Sequence, residues 1–210
     1  DGANTFADIS AEAGLAQPSL QFLGFGTFFF DADNDADLDL YIANGHVLDR
    51  IQILEADLRY AQNDQLLQND GQGHYSDISA TSGAAFARAL VSRGAARGDY
   101  DNDGDLDVLV SHLNGPAALY RNDRPPGAHW LGLELKDQAI GAQVHLTCDD
   151  RTQFRAVATS GTYLSAHDPR LHFGLGNCTR VEHIDILWPS GQTSELSNVA
   201  VDRYLTVEAP

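Results

Sequence analysis

Ten aspartates crowd into two nine-residue segments, 31–39 and 99–107, with a carboxylate at every odd position of each. In the second, Asp99, Asp101 and Asp103 hold positions 1, 3 and 5, the carbonyl of Asp105 position 7, and Asp107 position 9. Calcium takes about six to eight oxygen ligands, and a short loop wrapped once around the ion supplies them at this spacing. Gly104 falls where such a loop turns sharply, a place suited to positive φ. The first segment offers Asp31, Asp33, Asp35, the carbonyl of Asp37, and Asp39, with Ala36 in the glycine's place. An alanine held in the left-handed region costs on the order of 1 kcal/mol, so the first site is expected to be weaker or slightly reshaped. Without a counter-ion such clusters repel themselves. Two structural Ca2+ ions are therefore expected, the alternative being a solvated acidic surface. Zinc or copper would want His or Cys ligands. These are not EF-hands, because position 12 is Ile42 or Val110 rather than Glu.

Each acidic segment leads into a strand pattern. Leu38-Asp39-Leu40-Tyr41-Ile42-Ala43-Asn44 and Leu106-Asp107-Val108-Leu109-Val110-Ser111-His112 are short and rich in β-formers, and both read as largely buried strands. The surroundings repeat as well. Thr5-Phe6-Ala7-Asp8-Ile9-Ser10 returns as His74-Tyr75-Ser76-Asp77-Ile78-Ser79, an offset of 69, and the acidic runs are offset by 68. Leu66-Leu67-Gln68-Asn69-Asp70 and Leu119-Tyr120-Arg121-Asn122-Asp123 close the two units. The first unit is longer, and its excess falls in residues 46–62, where Val47, Ile51, Leu54 and Leu58 follow helical spacing. An insertion carrying an amphipathic turn or two is expected there, on one face of the array and often the binding face. A repeat of this length built from short strands fits propeller blades. Two blades do not close a ring, so further chain or another subunit is expected to cover the open edges.

Pro125-Pro126-Gly127 divides the chain into a repeat region, 1–124, and a C-terminal β domain, 125–210. Beyond the break apolar residues alternate: Leu131, Leu133 and Leu135; Val144, Leu146 and Cys148; Ile184, Ile186 and Trp188. Phe154, Ala156 and Ala158 make a weaker run, with Val157 on the opposite face. Period two over successive runs argues a sandwich or small barrel. Cys148 and Cys178 are the two cysteines. An even count in a calcium-loop chain suggests one disulfide and an oxidising compartment, with two buried free thiols as the alternative.

These residues carry a family resemblance. The Phe25-Gly26 entry, the two acidic loops and the Asn-Asp-Gly-Gln-Gly turn at 69–73 resemble FG-GAP/VCBS repeats. The resemblance implies calcium-bearing propeller blades. Residues 127–210 resemble the ASPIC/UnbV domain of the cartilage acidic protein-like family, through Gly127-Ala128-His129-Trp130-Leu131, Ile140-Gly141-Ala142, Ser160-Gly161-Thr162-Tyr163-Leu164-Ser165, Leu171-His172-Phe173-Gly174-Leu175-Gly176 and Trp188-Pro189-Ser190-Gly191. The expected fold is all-β: a partial propeller of about two blades, then a sandwich-like or small-barrel domain.

The formal charge of −17 argues against nucleic-acid and anionic-membrane partners. No apolar run is long enough for a transmembrane helix. With no methionine present, the chain is expected to be a mature product or a fragment. Arg97-Gly98-Asp99 spells an adhesion tripeptide, yet Asp99 is also the first residue of an acidic loop, where metal would occupy it. Arg155, Tyr163, His167, Arg170 and His172 could form a polar patch, but no nucleophile–base pair emerges and no catalytic residue is assigned. The expectation is a non-enzymatic, calcium-binding interaction or scaffold module, secreted, periplasmic or at the cell surface. It would bind a protein or glycan, or pack as a homo-oligomer or subunit of a larger assembly. The rivals are an enzyme with its site between propeller and C-terminal domain, and a structural surface or fibre protein.

Overall fold

A computed structural model describes residues 5–124, 127–136, 139–158 and 160–210. Phe28 and Phe30 alternate with exposed neighbours, which makes Gly24–Phe30 (β1) a strand with one buried face. The first acidic segment turns it into Asp39–Asn44 (β2), and the chain returns twice more as Gln65–Asn69 (β3) and Tyr75–Asp77 (β4). These strands form an antiparallel sheet in the order β1-β2-β3-β4. The second repeat builds Ser92–Gly98 (β5), Asp107–His112 (β6) and Ala118–Tyr120 (β7), an antiparallel sheet in that order. It matches the first sheet strand for strand except that β4 has no counterpart among the described residues. Even the irregularities correspond, since the register slips between Gly24 and Thr27 and again between Ser92 and Ala95.

The two sheets share one core, with Phe28, Phe30 and Tyr41 facing Ala95, Val108 and Val110. Gly26 lets β1 and β5 approach, because a Cβ there would lie 2.7 Å from the Ala95 nitrogen. Asp64, itself buried, accepts hydrogen bonds from Tyr41 Oη (2.8 Å), the Asn44 amide (2.8 Å) and Tyr120 Oη (3.3 Å). β2 is buried on both faces, as its sequence predicts. β6 is not: Val108 and Val110 are buried while Leu109 is 51% exposed. An apolar run does not say whether its second face is covered, and among the described residues nothing covers this one. The 46–62 insertion contains a single helical turn, Ile51–Leu54. Of its periodic residues Ile51 alone is buried, and Val47 and Leu54 face solvent.

The expected break at Pro125-Pro126 lies outside the described residues. The strands that follow are His129–Leu135 (β8), Gln143–Cys148 (β9), Arg151–Ala156 (β10), Leu171–Gly176 (β11), Arg180–Leu187 (β12), Thr193–Ala200 (β13) and Arg203–Val207 (β14). They form two open sheets, β10-β9-β12-β13 and β11-β8-β14, with β14 parallel to β8 and every other pair antiparallel. Leu131, Leu133 and Phe173 of one sheet pack against Val144, Leu146, Ile184 and Ile186 of the other. The arrangement is a sandwich, and none of the sheets closes on itself. Cys148, ending β9, is bonded to Cys178 before β12, with the Cα atoms 6.2 Å apart.

One expected face is reversed. On β10, Phe154 is 50% exposed and Gln153 is buried. Gln153 Nε2 donates to the Gly174 carbonyl at 2.7 Å, so a satisfied polar group takes the inner position.

Candidate metal centres

Each acidic segment is the hairpin connection between the first two strands of its sheet, β1–β2 or β5–β6. Both wind through the left-handed region at the same two positions. Asn34 and Asn102 have φ of 60° and 61°, and Ala36 and Gly104 follow at 76° and 92°. Ala36 therefore adopts the conformation its glycine counterpart adopts.

The winding gathers carboxylates. Oxygens of Asp31, Asp33 and Asp39 lie within 4.8 Å of one another, as do those of Asp99, Asp101 and Asp107. Backbone amides preset the outer members: Asp31 accepts from the Asp35 and Ala36 amides, and Asp39 from Ala32 and Asn69. The second loop repeats this, Asp99 accepting from Asp103 and Gly104, Asp107 from Tyr100 and Asn122. Asp35 and Asp103 each turn one oxygen back to the amide two residues on, at 2.8 and 2.9 Å. The side chains of Asp37 and Asp105 point elsewhere, to Arg151 and to Arg124. Neither side chain belongs to the three-carboxylate group of its loop.

The electrostatics suit a cation. Burial, and then the charge of Asp35, push the Asp31 carboxyl up to about 8; burial pushes Asp39 up to about 6. Asp107 is raised for the same reason, burial first. A divalent ion among these groups would reverse that penalty. Asp33 Oδ1 is buried with no hydrogen-bond partner among the described residues, an orphan acceptor beside two other carboxylates. The donor set is all oxygen and suits a hard cation.

Both loops are clasped by the C-terminal sandwich. Arg151 donates to the carbonyls of Asp35 (3.3 Å) and Ala36 (2.9 Å) and pairs with Asp37. Arg170 donates to the Asp99 carbonyl at 2.7 Å and to Asn102 Oδ1 at 2.5 Å. Tyr204 Oη donates to Asp99 Oδ2 at 2.6 Å. Asn34 joins all three parts: its Nδ2 donates to the Gly104 carbonyl (3.0 Å) and Asp105 Oδ1 (3.1 Å), and its Oδ1 accepts from His172 Nε2 at 2.7 Å. The segment before β11 runs along the free edges of β1 and β5. Thr162 Oγ1 accepts from the Thr27 amide, His167 Nδ1 accepts from the Arg97 amide, and the Asp168 amide donates to the Arg97 carbonyl.

The expected polar patch is thus spread along this junction. His167, Arg170 and His172 bond to the repeat region, Tyr163 packs on Phe25, and Arg155 lies over Phe173. The tripeptide's Asp99 is buried, its oxygens taken by two amides and Tyr204. His46 and His112 each bond within a local turn. Sequence reasoning missed Asn34, Arg151 and Tyr204. The asparagine at position 4 of both loops was a readable signal; the other two come from distant strands and left none.

Residues 132–210 match the family model described as ASPIC and UnbV. Over 173 residues, 77% of this chain, the sequence is 25% identical to cartilage acidic protein 1 of Homo sapiens, covering 24% of that protein. The Mus musculus protein of the same name is also 25% identical over 173 residues. That of Xenopus tropicalis is 27% identical over 127 residues, 56% of this chain and 20% of that protein. The chain spans about a quarter of the length of the curated relatives it matches, and the family match covers its C-terminal sandwich.

Proposed function

We propose that this protein is a non-enzymatic, calcium-stabilised interaction module of the extracellular space, periplasm or cell surface. Its two sheets are blades of the FG-GAP/VCBS type, each with one structural Ca2+ in its first hairpin. The observation that carries this reading is the pair of three-carboxylate clusters on equivalent loops, turned by Ala36 and Gly104 in the same conformation. Asp31, Asp33 and Asp39 would hold one ion, and Asp99, Asp101 and Asp107 the other. Asp35, Asp103 and the carbonyls of Asp37 and Asp105 would complete the shells. Bound calcium would supply charge and rigidity rather than chemistry. The Cys148–Cys178 disulfide supports an oxidising compartment. The His, Arg and Tyr side chains that an enzyme reading would recruit are engaged in joining the two regions, which supports a scaffold. The partner is a protein, a glycan or another copy of the chain.

Calorimetric titration with calcium, paired with melting in chelator, tests this. Two binding events and a melting temperature lowered by chelator are expected. Absence of binding with unchanged melting would sink it.

A further inference from the structure

Residues 5–14 read Thr-Phe-Ala-Asp-Ile-Ser-Ala-Glu-Ala-Gly, and residues 74–83 read His-Tyr-Ser-Asp-Ile-Ser-Ala-Thr-Ser-Gly. The later copy is the outer strand of the first sheet. Tyr75, Ser76 and Asp77 lie opposite Asn69, Gln68 and Leu67, the Ile78 amide donates to the Leu66 carbonyl at 3.0 Å, and Ile78 packs on the shared core. The earlier copy keeps the local device of that strand: Asp8 Oδ1 accepts from the Ser10 amide at 2.9 Å, as Asp77 Oδ1 does from Ser79. Gly14 and Gly83 both have positive φ. Yet residues 5–9 belong to no sheet, Phe6 is fully exposed and Ile9 is 57% exposed.

The second sheet has the complementary defect. It ends at β7, whose outer edge pairs with no strand among the described residues. Leu109 and Leu119 lie bare on its face. An unpaired edge is a template for another strand, and the strand that fits is one of the sequence that fills the same place in the first sheet.

We propose that residues 5–10 of a second copy of this chain add to β7 as the missing fourth strand, reciprocally in a two-fold dimer. Transposing the β3–β4 register sets Asp8 opposite Tyr120, Ala7 opposite Arg121 and Phe6 opposite Asn122. The Ile9 amide donates to the Leu119 carbonyl, and the Ile9 side chain covers Leu119 just as Ile78 shares a face with Leu66. The donor comes from another copy because the Tyr75 amide holds the Ala13 carbonyl at 2.8 Å, keeping the chain's own segment beside β4. This names the partner in the interaction-module reading and rests on that reading only for there being one.

The test is a full-chain Ala7→Cys/Arg121→Cys variant, mildly oxidised in calcium, resolved on a non-reducing gel and compared with wild type by sedimentation. A covalent dimer from the double variant is expected, together with a concentration-dependent wild-type dimer and none from a register-shifted Glu12→Cys/Arg121→Cys control. Phe6→Ser and Ile9→Ser are expected to weaken the dimer at least tenfold. A wild type monomeric at all concentrations, a cross-link confined to monomers, or a dimer indifferent to Ile9→Ser would each overturn the exchange. Calcium calorimetry on the same samples separates the two ideas: binding by a monomer sinks the exchange alone, and a dimer without binding sinks the calcium reading alone.

Discussion

A methyl group placed on Gly104 would stand 1.9 Å from Cε2 of Trp130, so the second acidic loop and the first strand of the sandwich fit with no room between them. Gly104 is also in the left-handed region, at φ 92°. Gly104→Ala therefore combines backbone strain with a collision against a buried indole. It is expected to cost about 3 kcal/mol or more, read as a lowered denaturation midpoint in calcium. A midpoint close to wild type would mean that loop and strand are not in contact.

At Ala36 the same conformation carries a side chain it does not need. Ala36→Gly is expected to relieve about 1 kcal/mol of strain and to tighten calcium binding at the first site roughly fivefold. Calorimetry should show the weaker of two binding events moving towards the stronger. Unchanged affinities would place the weakness of the first loop elsewhere, or remove it.

Tyr204 reaches across the junction to Asp99 Oδ2 at 2.6 Å. Tyr204→Phe keeps the ring under Trp130 and Arg170 and removes only the hydroxyl. A loss of about 1.5–3 kcal/mol is expected for a hydrogen bond to a carboxylate. Calcium binding is expected to weaken at the second site and not at the first. Equal weakening of both sites would contradict the one-sided contact.

Acid should loosen the junction. Burial, and then the charge of Arg97, hold the His172 imidazole down to about 3 and His167 down to about 4, against about 6.5 in an unfolded chain. Between those values the unfolded chain binds more protons than the folded one. Their contribution to stability is thus full above about pH 6.5 and is lost as pH falls through the folded values. With calcium saturating the acidic loops, so that Asp31 and Asp39 stay ionised, denaturation midpoints should fall from pH 7 to pH 5, and His172→Asn should be less stable at pH 7 with a shallower fall. An equally steep fall in that variant would clear His172 of the effect.

The acidic loops were legible because each carboxylate cluster is local: nine residues contain every clustered aspartate and the turn that gathers them. The alternation on β9 and β12 was legible for a similar reason, since each has one inner face filled by Val144 and Leu146 or by Ile184 and Ile186. β10 misled because periodicity registers only apolar residues, whereas Gln153 wins its inner place by a hydrogen bond to Gly174. The half-exposed face of β6 was hidden because burial on that side depends on a neighbour, and no pattern within six residues reports one. The clasp on the loops was least visible. Arg151 and Ala36 are 115 positions apart, and nothing in either segment names the other.

The segment that lies along β1 and β5 has a kinetic consequence. Thr27 waits for Thr162, 135 positions later, before its amide is bonded, and Arg97 waits for His167, 70 positions later. During synthesis both sheets emerge before the residues that seal their inner edges. Closure must then pay the loop entropy of most of the chain at once. Folding is therefore expected to end in a slow docking step, with the repeat region at its most aggregation-prone just before the sandwich is complete.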